Sequence, residues 1–264
     1  MTEKTKNNSN EKETEAKNNN KYGAILLCGG RGTRLRELTH DEIPKSLVKV
    51  EGKELIGYSI DDMLYSKMVD KLVFAVGYKS EQIINYVNNL KLDTKVEFSY
   101  QSKPGVLCAV KEAAAHIEGS KVIFCNSDEI RVNLHLDEAI LYHETSSYVA
   151  TMVATYTDAL HEKGVLELDD KNVVLKLRLR DSVYASKPEE TGLVNAGIVI
   201  MNKSAIDYFD PSYEKDWMGI IEPLIRTSNL RAYIDSNIKF LHGNTREQVS
   251  EAKEYIGKLQ RNKK

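Results

Sequence analysis

From Tyr22 onward the chain is marked by short, unbroken apolar runs: Gly23-Ala24-Ile25-Leu26-Leu27-Cys28, Leu72-Val73-Phe74-Ala75-Val76 and Lys121-Val122-Ile123-Phe124-Cys125. A strand with one wet face would alternate apolar and polar residues, so continuous runs predict strands covered on both faces. Between them, apolar residues recur at helical spacing over 55–65, 81–90 and 108–117. Ser80 and Glu81 stand where the second of these helices wants its N-terminal cap. Strand and helix therefore alternate through residue 145, the pattern of βαβ crossovers. After Tyr148 the predicted strands crowd together at 148–155, 164–168, 173–179 and 193–201. Helical stretches follow at 203–209 and 216–227, then a strand near 232–240 and a charged amphipathic helix from Thr245 to about Arg261. The expected fold class is α/β, Rossmann-like, with a mixed, mainly parallel sheet flanked by helices.

Residues 1–21 break this pattern. They hold six Asn, five Lys and four Glu, with Met1 and Ala16 as the apolar members. Such a segment buries too little surface to offset the entropy of ordering, so a disordered tail is expected. Residues 22–264 carry no internal repeat and no Gly/Ser/Pro linker, which predicts a single domain. Thirty-seven basic against 39 acidic residues leave a formal charge of −2, which excludes binding nucleic acid by bulk charge. No apolar run approaches the roughly 20 residues of a membrane span, and no signal-type segment follows the N-terminus. Neither nucleic acid nor a membrane is thus an expected partner, and the expected compartment is the cytoplasm. Cys28, Cys108 and Cys125 are an odd, sparse set without metal-ligand spacing, so no disulfide framework is expected.

The densest chemistry follows the first predicted strand: Cys28-Gly29-Gly30-Arg31-Gly32-Thr33-Arg34-Leu35. Closely spaced glycines let a backbone approach a ligand, and successive free N–H groups can cradle phosphate oxygens. Arg31 and Arg34 add donors suited to phosphate. A P-loop would need a Gly-Lys-Ser/Thr ending, which is absent, and a dinucleotide fingerprint would need glycine where Leu35 stands. Further on, Pro44 fixes the backbone just before Lys45, which suggests a directed ammonium. The run Val122 to Glu129 ends a predicted buried strand in two carboxylates, where open α/β sheets place their ligands.

Gly29-Gly30-x-Gly32-Thr33-Arg34-Leu35, Leu38-Thr39, Pro44-Lys45-x-Leu47 and Val50-x-Gly52-Lys53 together resemble the sugar-1-phosphate nucleotidyltransferases, the NDP-sugar pyrophosphorylases. The resemblance runs from Tyr22 to about Tyr255, strong in the first third and thin after Asp128. It implies an enzyme of the nucleotidyltransferase class with an NTP and a sugar-1-phosphate as substrates and Mg²⁺ as cofactor; it leaves a homo-oligomer open. It implies catalytic roles for Arg34 and Lys45, and nucleotide contacts for Leu27, Gly29, Gly30, Gly32, Thr33, Gln101 and Gly105. Asp128 matches the family's metal-binding aspartate, with Ser127 in place of the usual preceding glycine. Gly164, Arg180 and Asn195 fall in the sugar-phosphate half, where Asn195-Ala196-Gly197 is intact. The Glu-Lys-Pro motif is replaced by Arg178-Leu179-Arg180-Asp181.

The family's late Asp-x-Gly-Thr-Pro-Glu pattern reads here His242-Gly243-Asn244-Thr245-Arg246-Glu247. An imidazole is a poor Mg²⁺ ligand beside a carboxylate. Either another acid, such as Asp235 or Glu129, takes the place of the second carboxylate, or turnover is weakened. Among subfamilies, guanylyltransferases acting on heptose- or mannose-1-phosphate and cytidylyltransferases acting on glucose-1-phosphate match nearly equally. Two alternatives stand beside transfer to a sugar phosphate: a non-catalytic nucleotide-binding paralogue, and transfer to a phosphorylated non-sugar acceptor. Cys108 replaces a loop glycine; with no histidine near it in sequence, packing is expected rather than a catalytic thiol.

Overall fold

The computed structural model describes residues 21–158, 164–178, 191–213 and 217–262; the expected tail, except Lys21, and Arg180-Asp181 lie outside these. The first half holds β1 (Tyr22–Leu27), a small hairpin of β2 (Lys49–Val50) and β3 (Lys53–Glu54), β4 (Val69–Val76), β5 (Lys95–Tyr100) and β6 (Lys121–Asn126). Around them lie α1 (Arg36–Thr39), α2 (Leu55–Tyr65), α3 (Ser80–Leu90), α4 (Val106–Ala114) and α5 (Leu136–Glu144). The second half supplies β7 (Glu129–Val132), β8 (Ala150–Thr157), β9 (Val165–Leu168), β10 (Val174–Arg178) and β11 (Gly192–Asn202). It ends with α6 (Met218–Arg226), β12 (Leu230–Ile234), β13 (Lys239–His242) and α7 (Arg246–Asn262).

Strands β6, β1, β4 and β5 pair in that order, all parallel. Antiparallel β11 extends the sheet from β6 and divides it, pairing β8 along one side and meeting β9 on the other. The unbroken apolar runs have a direct cause: both faces of the parallel strands are packed. Ile25, Val73, Ala75, Val122 and Phe124 face one core with Val110 of α4 and Leu224 of α6. Ala24, Leu26, Leu72, Phe74 and Ile123 face another with Ile60 of α2, Ile83 of α3 and Ile140 of α5. Each buried Val, Leu, Ile or Phe among these contributes about 1.5–3 kcal/mol by burial. A third, smaller core joins Leu35, Val50 and Leu55 to Ile130, Leu241 and Val249, fastening α7 and the β7–β13 ribbon to the loop after β1.

Local expectations fail where backbone geometry overrides pattern. Lys79, in the left-handed region at φ 52°, is the N-cap of α3, so Ser80 is its first helical residue and caps nothing. The single strand expected near 232–240 is two, because the Asp235 carboxylate accepts the Asn237 N–H at 3.0 Å in a side-chain-closed turn. The 203–209 helix is a 3₁₀ segment, Lys203–Tyr208. Among the described residues, no helix is long and apolar enough to cross a membrane.

Candidate active site

Parallel strands bring their C-terminal ends to one edge of the sheet, and a cavity of about 530 Å³ opens there, a size suited to a small molecule. Its wall follows the strand ends: Leu27 and Gly29-Gly30-Arg31 after β1, Gly77-Tyr78 after β4, Gln101 after β5, and Asn126-Ser127-Asp128 after β6. Gly105 and Val106, at the start of α4, and Lys45-Ser46 from a 3₁₀ turn complete it.

Two of the loop glycines, Gly29 and Gly32, are required by contacts. A Cβ on Gly29 would lie 1.7 Å from Gln101 Oε1, so the absence of a side chain lets β5's exit cross the loop. Gln101 Nε2 then donates to Gly105 O at 2.9 Å, holding the far wall. Gly32 sits at φ 63°, with Lys45 Cβ 2.7 Å from where its own Cβ would be. The loop is fastened to β4 through Tyr78 N–H to Gly29 O at 3.2 Å. The Arg31 guanidinium lies 5.6 Å from the centre of the Tyr78 ring, a cation–π contact that keeps a fixed positive charge on the rim.

In the same cavity, the Lys45 ammonium is ion-paired with the Asp128 carboxylate and donates to Asn244 Oδ1 at 2.7 Å. Both members of the pair are mostly buried, at 19% and 15% side-chain exposure. The supporting hydroxyls have a fixed direction: Ser127 Oγ donates to Leu27 O at 2.6 Å, so Ser46 Oγ donates to Ser127 Oγ at 2.8 Å. Two side chains thereby tie the lysine turn and the aspartate strand to the end of β1. Burial pushes the neighbouring Cys28 and Cys125 thiols up to about 12, which removes them as nucleophiles.

Beneath Asp128, Arg131 is fully buried. Its Nε donates to Ala196 O at 2.5 Å, Nη1 to Asp62 Oδ2 at 3.0 Å, and Nη2 to Glu129 Oε2 at 3.1 Å and Asn126 O at 3.2 Å. Asn126 Nδ2 also donates to Glu129 Oε2, at 3.1 Å. Burial pushes the Asp62 carboxyl up to about 6, against the opposing pull of Arg131.

The nucleotidyl transferase family model matches residues 23–239. This chain belongs to that family. Mannose-1-phosphate guanylyltransferase 1 of Arabidopsis thaliana is 28% identical over 241 residues, covering 81% of this chain and 65% of that protein. The chain thus spans about two thirds of that relative's length. A Bacillus subtilis protein named "Probable glucose-1-phosphate cytidylyltransferase" is 28% identical over 207 residues, covering 70% of this chain and 76% of its own. In fold, the chain is similar to the crystal structure of HddC from Yersinia pseudotuberculosis, with TM-score 0.72, 24% identity, and coverage of 89% and 99%.

Of the site residues expected from the sequence, the fold brings Leu27, Gly29, Gly30, Lys45, Gln101, Gly105 and Asp128 to one cavity. Gly32 lies just behind Lys45. Thr33 and Arg34 form an exposed 3₁₀ turn outside the lining, and the arginine on the cavity wall is Arg31. Gly164 and Asn195 do not line the cavity either; the Asn195 side-chain oxygen accepts the Gly197 N–H at 2.7 Å, shaping its own turn.

The candidates for a second carboxylate are corrected. Glu129 is buried and bound by Arg131 and Asn126. Asp235 faces His135 at 3.0 Å and closes the turn after β12. His242 is buried too, with its Nδ1 3.7 Å from Glu129 Oε1 and its ring edge-on to Phe240. The residue that reaches the Lys45–Asp128 pair is Asn244. Sequence reasoning misses Tyr78, Asn126 and Asn244; the His242–Glu247 stretch is visible as a motif, but its spacing does not say which side chain faces the site.

Proposed function

We propose that this protein transfers a nucleotidyl group from an NTP to a sugar-1-phosphate, releasing pyrophosphate and an NDP-sugar. The observation that carries this is the Lys45–Asp128 pair sharing one cavity with a glycine-rich loop at the C-terminal edge of the sheet. The names of the guanylyltransferase and cytidylyltransferase relatives supply the substrate class, and the cytoplasm, where NTPs are held, is the compartment.

In this scheme the backbone N–H groups of Gly29 and Gly30 and the Arg31 guanidinium receive the triphosphate, which is charge recognition by fixed dipoles. Gln101 and Gly105 border the base. Lys45 supplies a mobile point charge at the phosphates, and no protein nucleophile is used. The sugar-phosphate oxygen attacks the α-phosphorus, the α–β bridging oxygen departs with pyrophosphate, and the residues contribute positioning and charge neutralisation.

The donor set also fits a magnesium ion. Asp128 is a partly accessible carboxylate already engaged by a cation, the Lys45 ammonium. Mg²⁺ is commonly held by one or two carboxylates with substrate phosphates completing its shell, so the absence of a cluster of three acidic, His or Cys ligands among the described residues is no obstacle. When bound, the ion would neutralise charge on the α-phosphate and the departing pyrophosphate.

The test is pyrophosphate release across a matrix of NTPs and sugar-1-phosphates. At least one pairing is expected to turn over, with Lys45→Ala and Asp128→Ala each lowering kcat at least 100-fold. Nucleotide binding without pyrophosphate release in any pairing, phosphorylated non-sugar alcohols included, would select the non-catalytic alternative; release with the alcohols alone would change the acceptor.

A further inference from the structure

The turn that carries Asn244 into the site is built without Asn244's side chain. Thr245 Oγ1 accepts the Gln248 N–H at 3.3 Å, and Gln248 Oε1 accepts the N–H groups of Asn244 and Thr245 at 3.0 and 3.1 Å. This reciprocal Thr-x-x-Gln cap fixes the start of α7. Gly243 N–H donates to Asp128 O at 2.9 Å, which sets the turn's distance from the β6 end. The Asn244 amide oxygen is left for another purpose, and it accepts the Lys45 ammonium at 2.7 Å.

Lys45 is thus held from two sides by oxygens of different character. Asp128 is anionic and suited to a divalent cation; Asn244 is neutral and competes poorly for one. When a cation takes Asp128, Lys45 loses its stronger partner, and a four-carbon side chain released in a polar cavity would sample many directions. An acceptor that stays behind prevents this. A neutral acceptor does so without cancelling the charge that the phosphates need.

We propose that Asn244 is a positioning residue: it retains the Lys45 ammonium, aimed into the cavity, when Asp128 is given up to a divalent cation. This rests on the nucleotidyl-transfer function above. It also assigns a role to the late segment after β13, whose His242 is turned into the core.

The test reads nucleotide binding, so it does not depend on knowing the acceptor. Isothermal titration with a non-hydrolysable NTP analogue in Mg²⁺ is run on the full chain and on Asn244→Ala, Lys45→Ala, the double variant and Gln248→Ala. Asn244→Ala is expected to weaken binding about tenfold, the order of one hydrogen bond to a charged group, and to add nothing once Lys45 is gone. Gln248→Ala, which damages the cap but keeps the amide, is expected to lower Tm more than Asn244→Ala does and affinity less. Mn²⁺ affinity, followed by electron paramagnetic resonance at saturating analogue, is expected to be unchanged in Asn244→Ala. Additive losses in the double variant would overturn the proposal, as would weakened Mn²⁺ binding, which would make Asn244 a metal ligand instead. In both cases the proposed function survives if Lys45→Ala weakens binding. If Lys45→Ala leaves analogue affinity intact, the functional assignment and the positioning role fall together.

Discussion

Gly197 gives the sharpest stability test of the polar cluster beneath the site. It lies at φ 76°, in the irregular stretch of β11 between Asn195 and Val199, and a Cβ there would sit 1.7 Å from Glu129 Oε2 and 2.8 Å from Arg131 Nη2. An alanine in the left-handed region costs about 1–2 kcal/mol by itself. The neighbours it strikes cannot swing into solvent, since their side chains are 3% and 0% exposed. Separating a buried ion pair costs about 3–5 kcal/mol when complete, and the clash forces part of that. Gly197→Ala should therefore destabilise the fold by about 3–5 kcal/mol in all, a drop of roughly 10 °C in Tm for a chain of this size.

The discriminating measurement is a thermal-unfolding cycle with Glu129→Ala. Removing the Glu129 carboxylate removes the closer of the two groups the new methyl strikes and leaves the 2.8 Å approach to Arg131 Nη2, so in that background Gly197→Ala should cost less, with a coupling of at least about 1.5 kcal/mol. Equal Tm losses in both backgrounds would show that the cost is backbone strain alone. A loss below about 3 °C in the otherwise native chain would refute the packing of Gly197 on this pair.

Further outcomes follow from the same geometry. Ser127→Ala strands both the Leu27 carbonyl and the Ser46 hydroxyl, whereas Ser46→Ala leaves Ser127 bonded to Leu27; urea unfolding should therefore show a loss of about 1–3 kcal/mol for the first and about 1 for the second, and the reverse order would contradict the assigned donor directions. Because burial raises the Cys28 and Cys125 thiols to about 12, their thiolate fraction at pH 8 is only ~10⁻⁴. Half-buried Cys108 alone should react with Ellman's reagent in the native state, with all three cysteines reacting in denaturant; a second thiol labelled at the rate of Cys108 in the native protein would count against the buried assignment.

The first half of the fold was legible because its cause is local: a strand packed on both faces is apolar along its buried stretch, as in residues 23–27 of β1, 72–76 of β4 and 122–125 of β6. The edge strand β5 was not: it alternates polar and apolar residues, Lys95-Val96-Glu97-Phe98-Ser99-Tyr100, so no unbroken apolar run marks it. In the site, Gly29 through Lys45 could be read because one contiguous segment wraps the ligand place, and Asp128 because it ends a recognisable strand. Arg34 was favoured over Arg31 by motif position, yet the loop turns at Gly32, sending Arg31 to the wall and leaving Arg34 exposed. Asn244 and the burial of His242 depend on a pairing over more than one hundred residues, β13 with β7, which no local pattern announces.

That pairing also explains why the late motif can be altered without opening the cavity. The register sets His242 beside Glu129, and Glu129 belongs to the buried cluster closed by Arg131 and Asp62. A carboxylate at 242 would face Glu129 across 3.7 Å or so of dry interior, where two like charges cannot both stay ionised; an imidazole brings no second negative charge. With 242 committed inward, the chain next passes Gly243, whose small size allows its N–H to reach Asp128 O, and then presents residue 244 to Lys45. The polar oxygen nearest the Lys45–Asp128 pair from this segment thus comes two positions later than the family pattern suggests. The inward-turned His242 and the Asn244 contact are two consequences of one strand register, so shifting β13 by a single residue would cost the protein both.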